Sequence, residues 1–390
     1  MLDPSPGVRT CRKSPGVVVV GMRAHPADNG RPDPAAPAEP VTERRHAPDD
    51  AASWRLCVAP MMDWTDRHCR VFHRILAPHA RLYTEMVHAQ AVIHGDRERL
   101  LGSDAGEHPV ALQLGGSDPA HLAQATRIGV DFGYDEVNLN VGCPSDRVQA
   151  GRFGACLMRE PALVAESIGA MIAVAGEVPV TVKCRLGVDE LEDYDVFRAF
   201  VDTVAATGCD TFVVHARKAW LQGLSPKENR EIPPLRHDWV DRLKAERPGL
   251  RIVLNGGLAD VDAAVAAARR LDGAMIGRAA YHEPYRLHLM DRALFAPDAA
   301  PRGRADLLRE LRPYAEAMLA RGVAIKHLTR HILGLFHAQP GGRAFRQILS
   351  EGAPKPGADW RLVERALAAT EAARPVAVSA QSMATPGSCA

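Results

Sequence analysis

Between Arg55 and Ala280, short apolar runs recur, each followed by a turn and a longer segment with apolar residues three or four apart. The runs are LCVAPM (56–61), RLYTEMV (81–87), VALQLGG (110–116), EVNLNVG (136–142), VTVKCRLG (180–187), TFVVHAR (211–217), RIVLNGG (251–257) and GAMIGRAA (273–280). Their shortness, β-branched content and lack of strict polar alternation predict strands buried on both faces, as in a parallel sheet. The intervening segments carry helix signals. Asp118 and Pro119 supply an N-cap and a first-turn proline, and Pro161 opens a helix that Gly176 stops. Phe197, Phe200, Val201 and Val204 share one face of a helix ending at Gly208. Eight strands alternating with helices over about 225 residues predict a closed (β/α)8 barrel, with an open doubly wound sheet as the alternative.

After Pro301 the strand pattern stops. RADLLRELRPYAEAMLARG, AIKHLTRHILGLFHAQ and DWRLVERALAATEAA predict three helices, a small all-α C-terminal bundle. The expected division is a disordered tail over 1–52, a barrel domain over 53–300, a helical domain over 301–372 and a second disordered tail over 373–390. Met22 is an alternative start.

Composition adds limits. Of 390 residues, 46% are hydrophobic, enough for one large core and a smaller one. The net charge of +1 neither favours nor excludes a polyanionic partner, but its distribution is uneven. Residues 301–372 hold twelve Lys/Arg against seven Asp/Glu, and 217–237 hold five against two. A polyanion-binding face and a plain solvated surface both fit that excess. The eight cysteines are sparse and form no C-x-x-C, which predicts neither a disulfide framework nor a metal site, and a reducing, cytoplasmic setting. No apolar run approaches the roughly 20 residues that span a bilayer.

In such a barrel the chemistry gathers where strands end. Those positions hold Pro60, Met61 and Met62; Glu85; Gln113; Asn138, Asn140 and Cys143; Lys183 and Arg185; His215 and Arg217; Asn255, Gly256 and Gly257; Gly277 and Arg278. The glycines after the last two strands let backbone N–H groups approach a phosphate, with Arg278 as a charged fork; a tight turn alone would also use them. Lys183, inside an apolar strand, suits either a Schiff base or a positive charge against an electron-rich cofactor ring. His215 and Gln113 offer hydrogen bonds to a flat polar ring. Cys143 lies between Gly142 and Pro144, just past a strand end, whereas Cys184 and Cys209 read as buried packing. A thiol there can serve as a proton donor, with inert packing as the alternative. Trp220, in the long basic connection over 217–238, presents a flat face suited to stacking on a base.

Together these segments resemble the tRNA-dihydrouridine synthases, flavin enzymes that reduce uridines in tRNA. The resemblance rests on APMMDWTDRHCR (59–70), ALQLGG (111–116), NLNVGCPSDRVQAGRFGACLM (138–158), VKCRLG (182–187), VHARKAWLQGLSPKENREIPPL (214–235), LNGG (254–257) and MIGRAAY (275–281). DWTD, SPKENREIPPL and GRAFRQILS (342–350) are similar to the bacterial A subfamily. The resemblance implies FMN at the mouth, lying along Pro60, Met61 and Met62 and contacted by Gln113, Lys183 and His215. Asn255, Gly256, Gly257, Gly277 and Arg278 would take its phosphate. It also implies NADPH as reductant, hydride delivery to C6 of uridines 20 and 20a in the D-loop, and a proton from Cys143 to C5. Asn140, Lys227, Arg230, Arg343 and Arg346 would touch the tRNA. A monomer without metal or membrane contact is expected. The rival readings are a Schiff-base aldolase built on Lys183, a non-catalytic RNA-binding barrel, and an FMN enzyme of a small pyrimidine.

Overall fold

A computed structural model describes residues 50–373, so the expected tails lie outside the described residues except at their inner ends. The apolar runs become β1 (Leu56–Val58), β2 (Leu82–Tyr83), β3 (Val87–His88), β4 (Val110–Gly115), β5 (Glu136–Val141), β6 (Val180–Arg185), β7 (Thr211–His215), β8 (Arg251–Asn255) and β9 (Gly273–Ile276). Each paired neighbour runs parallel, in the order β1-β9-β8-β7-β6-β5-β4-β2, with β3 also on β4. The run 81–87 therefore forms one stave in two pieces. The ring closes where Val58 N–H donates to Arg81 C=O at 3.0 Å and Arg81 N–H to Leu56 C=O at 2.9 Å. That closure selects the barrel over the open sheet.

The helix signals act as their chemistry predicts. Asp118 accepts from His121 N–H at the head of Pro119–Asp131. Pro161–Ala175 ends at Gly176, whose φ of +62° is a conformation that suits glycine. Phe197, Phe200, Val201 and Val204 are the buried face of Tyr194–Ala205.

Strand β5, and beside it β6 with Thr181, Lys183 and Arg185, departs from the expectation of two apolar faces. Val137, Leu139 and Val141 of β5 join the apolar layer between strands and helices. The alternate residues Glu136, Asn138 and Asn140 face the barrel interior and hydrogen-bond across it to neighbouring staves. The interior is thus a small apolar cluster, including Trp54, Tyr83, Val213 and Met275, beside a wall of buried polar groups.

Among the described residues after Pro301 there are five helices rather than three: Arg304–Arg309, Arg312–Ala320, Lys326–Ile332, Gly342–Gly352 and Trp360–Ala372. Pro313 in the first turn of the second helix explains one break, because its ring and missing N–H prevent a helix from running through it. Their core includes Leu311, Phe345, Leu349 and Trp360, completed by Val71, Phe72 and Leu76 from the helix Arg67–Leu76 that follows β1. The bundle is thereby seated beside the β1 end of the barrel mouth. A pair between buried His331 and half-buried Asp66 at 3.0 Å and the stack of Trp64 on Tyr281 at 4.5 Å lie along the same seam.

Candidate active site

The strand ends build one cavity of about 380 Å³. Pro60, Met61, Met62, Gln113, Lys183, His215, Asn255, Gly256, Gly257, Gly277 and Arg278 all line it, as do Cys143, Asn140 and Arg230. Lys227, Arg343 and Arg346 stand outside it. Lys227 is exposed just before the 3-10 turn Glu228–Arg230, and the two arginines are exposed on one face of Gly342–Gly352. Neither arginine forms an ion pair among the described residues.

Electrostatics define what the cavity accepts. Four cationic side chains line it (Lys183, Arg185, Arg230 and Arg278), and no carboxylate among the described residues does. Arg278 is held from outside by Glu231 at 2.5 Å. Lys183 donates to Asn255 Oδ1 at 3.1 Å, and Asn255 in turn donates to Met275 C=O at 2.8 Å. Burial first, and then the Arg185 guanidinium, push the Lys183 ammonium down to about 8. The same two causes hold His215 well below its usual range, so at neutral pH it is an uncharged ring with one donor and one acceptor nitrogen. A cavity of this charge favours an anionic ligand, which would relieve the repulsion.

The Lys183 shift has a sign that can be measured. The folded value, about 8, lies below the ordinary 10.5. Between them the unfolded chain keeps a proton that the folded chain has released, so stability rises with pH across that window. In protein freed of bound ligand, the wild-type minus Lys183→Met difference in urea unfolding free energy should climb from about pH 8 to about pH 10.5. A flat difference would mean that Lys183 is not desolvated.

The two glycines of the seventh mouth loop are needed for shape. Gly256 and Gly257 have φ of +101° and +75°. A Cβ on Gly256 would stand 2.5 Å from His215 Cδ2, and one on Gly257 would stand 2.5 Å from Leu235 Cδ1. Both glycines line the cavity in a backbone conformation that other side chains rarely adopt, which suits close approach of an anion.

Cys143 is half-buried, with its Sγ 3.5 Å from Ser145 Oγ. Its N–H donates to Asn140 Oδ1 at 3.0 Å, and its C=O accepts from Ala155 N–H at 2.9 Å. Gln149, from the same loop, donates to Pro144 C=O and to Leu221 C=O, tying the loop to the connection after β7. Arg185 makes the same tie from below, donating to the carbonyls of Gly142, Lys218 and Asn229. This bracing role was not read from sequence, although two cations in one apolar strand were the available signal. Trp220, the expected stacking surface, is outside the cavity with Lys218 Nζ 4.2 Å over its ring. Trp64 lines the mouth instead.

Fold and mouth together define a TIM-barrel enzyme with an anion-favouring cavity and a thiol at its rim. Residues 57–372 match the family model described as Dihydrouridine synthase (Dus), and the chain belongs to the dihydrouridine synthase family. It is 68% identical over 321 residues to a tRNA-dihydrouridine(20/20a) synthase of Xanthomonas axonopodis pv. citri, covering 82% of this chain and 95% of that protein. Proteins of the same description from Xylella fastidiosa (64% over 322 residues; 82% and 96% covered) and Vibrio cholerae (53% over 317; 81% and 96%) are also similar. These relatives place the chain in the bacterial A subfamily.

Proposed function

We propose that the protein reduces uridines 20 and 20a in the D-loop of tRNA, using FMN at the barrel mouth and NADPH as reductant. The observation that carries this reading is that Cys143 shares one cavity with Lys183, His215, Gln113 and the two glycine loops. The residues present fit FMN. The cationic lining and open glycine backbone suit its phosphate, uncharged His215 and Gln113 suit the polar edge of its ring, and Lys183 suits negative charge on it. When bound and reduced, FMN supplies hydride chemistry toward C6 of a uracil. Pro60, Met61 and Met62 wall the ring, and Met62 is 57% exposed. Cys143 holds a proton for C5, with its loop braced by Gln149 and Arg185.

A base inside folded tRNA must leave its stack to reach this cavity, at a cost of a few kcal/mol that phosphate contacts offset. Residues 301–372 are the proposed tRNA-binding domain, with Arg343 and Arg346 on an exposed face. Asn140, Lys227 and Arg230 are the proposed contacts at the mouth. A lysine lowered toward neutrality also suits a Schiff base, but that chemistry gives the Cys143 loop and the bundle no part.

Unmodified tRNA incubated with the protein, FMN and NADPH, then digested for nucleoside mass spectrometry, is expected to contain dihydrouridine. The doubly charge-reversed variant Arg343→Glu/Arg346→Glu should bind tRNA more weakly and with a salt slope lower by about 2 in magnitude. No dihydrouridine, together with borohydride trapping of Lys183, would replace this reading with the aldolase. An unchanged salt slope would remove the two arginines from the interface.

A further inference from the structure

The polar wall inside the barrel is a single directed chain of hydrogen bonds. Cys143 N–H donates to Asn140 Oδ1 at 3.0 Å, and Asn140 Nδ2 donates to Gln113 Oε1 at 2.9 Å. Gln113 Nε2 donates to Asn138 Oδ1 at 2.8 Å, Asn138 Nδ2 to Thr181 Oγ1 at 2.7 Å, and the Thr181 hydroxyl to Glu136 Oε1. Glu136, Asn138 and Thr181 are fully buried, Gln113 is 1% exposed and Asn140 8%.

Both ends of the chain dictate the same direction. A backbone N–H donates only, and it stands at the mouth. At the far end Glu136 receives four donors on its two oxygens: the Trp54 indole at 2.9 Å, Arg81 at 3.2 Å, the Tyr83 hydroxyl at 2.8 Å and Thr181. Both of its oxygens thus act as acceptors. Thr181 must therefore point its hydrogen at Glu136 and accept from Asn138. Each amide above is forced into one of its two orientations in turn. The last of them presents Asn140 Oδ1, rather than its NH2 group, to the N–H groups of Gly142 and Cys143.

We propose that Glu136, Asn138 and Thr181 are positioning residues for Cys143. The buried carboxylate sets the polarity of the chain, and the chain sets the backbone of the loop that carries the thiol. Its consequence for catalysis rests on the reading of Cys143 as proton donor; the positioning itself does not. An apolar wall would fold at no greater cost, since buried polar groups repay their desolvation only when fully paired. What the polar wall adds is a single allowed orientation for Gln113 and Asn140, two groups facing the cavity.

Thr181→Val tests this, because it keeps the side-chain shape and removes only the hydroxyl that joins Glu136 to Asn138. Iodoacetamide labelling of Cys143, followed by mass spectrometry across pH on the protein as purified, reads the loop without tRNA or turnover. Thr181→Val should speed that labelling and shift its pH profile, whereas Thr181→Ser should match the wild type, with thermal midpoints recorded for all three. In turnover, Thr181→Val should lower kcat for dihydrouridine formation about tenfold with KM for tRNA within about twofold, and Thr181→Ser should restore it. Wild-type labelling and kcat in Thr181→Val would overturn the proposal. So would equal impairment of the valine and serine variants, which would make packing the cause. If the wild type forms no dihydrouridine, the proposed reaction fails, and the labelling comparison still decides the positioning role.

Discussion

Cys143→Ala should slow dihydrouridine formation by about 10²–10⁴-fold, the usual contribution of a positioned general acid. Among the described residues its side-chain hydrogen bond is to Ser145 Oγ, at 3.5 Å, so deleting the thiol removes no other hydrogen bond that shapes the loop. The loop is held instead by backbone contacts, from Cys143 N–H to Asn140 and from Ala155 N–H to Cys143 C=O. Gly154 makes the second contact possible, since a Cβ there would stand 2.5 Å from the Cys143 oxygen. Flavin content, tRNA affinity and thermal midpoint are therefore expected to stay near wild type while the chemical step collapses. Single-turnover rates with flavin reduced beforehand isolate that step. A variant that retains more than about a third of the wild-type single-turnover rate would show that the proton comes from elsewhere.

Glu136→Ala is expected to cost about 3–5 kcal/mol of stability, the range for breaking a buried charged network. The Trp54 indole N–H and the hydroxyls of Tyr83 and Thr181 would lose their shared acceptor at positions where water does not reach. Each orphaned buried group costs about 1–3 kcal/mol. The Arg81–Glu136 ion pair, with both side chains fully buried, would go as well. Urea unfolding of wild type and variant at equal flavin occupancy measures the difference. A loss below about 1 kcal/mol would mean that the carboxylate is not the acceptor around which the barrel floor is built.

Much of the site was legible because its parts lie at strand ends. The eleven proposed cofactor residues, with Asn140 and Cys143, could be named from where each apolar run stops, Arg230 came only from the resemblance, and one cavity collects them all. The glycine pair at Gly256 and Gly257 was legible as either a cradle or a turn; its positive φ values and the crowding by His215 and Leu235 require glycine there. Arg185, Trp64 and Glu136 were not assigned these roles. Arg185 acts on backbone carbonyls of two loops far apart in the chain, and carbonyls leave no residue-specific mark. Trp64 is held at the mouth in part by Tyr281, 217 positions later, which stacks on it. Glu136 has a local signal, the alternation Glu-Val-Asn-Leu-Asn-Val, but the shortness and β-branched content of that run predict two apolar faces.

The sequence by itself determined the eight staves, the helix caps, the position of the bundle after Pro301 and the residue types at each strand end. These follow from interactions that are local along the chain: periodicity, capping and turn chemistry. Only the tertiary structure decided that the sheet closes, that one face of β5 is polar and that the bundle completes its core with Val71, Phe72 and Leu76. It alone also decided that Arg278 is held by Glu231, and that one directed chain of hydrogen bonds joins the barrel floor to the Cys143 loop. Such features depend on which distant groups meet, and on hydrogen-bond direction, which a residue type permits but only its partners impose.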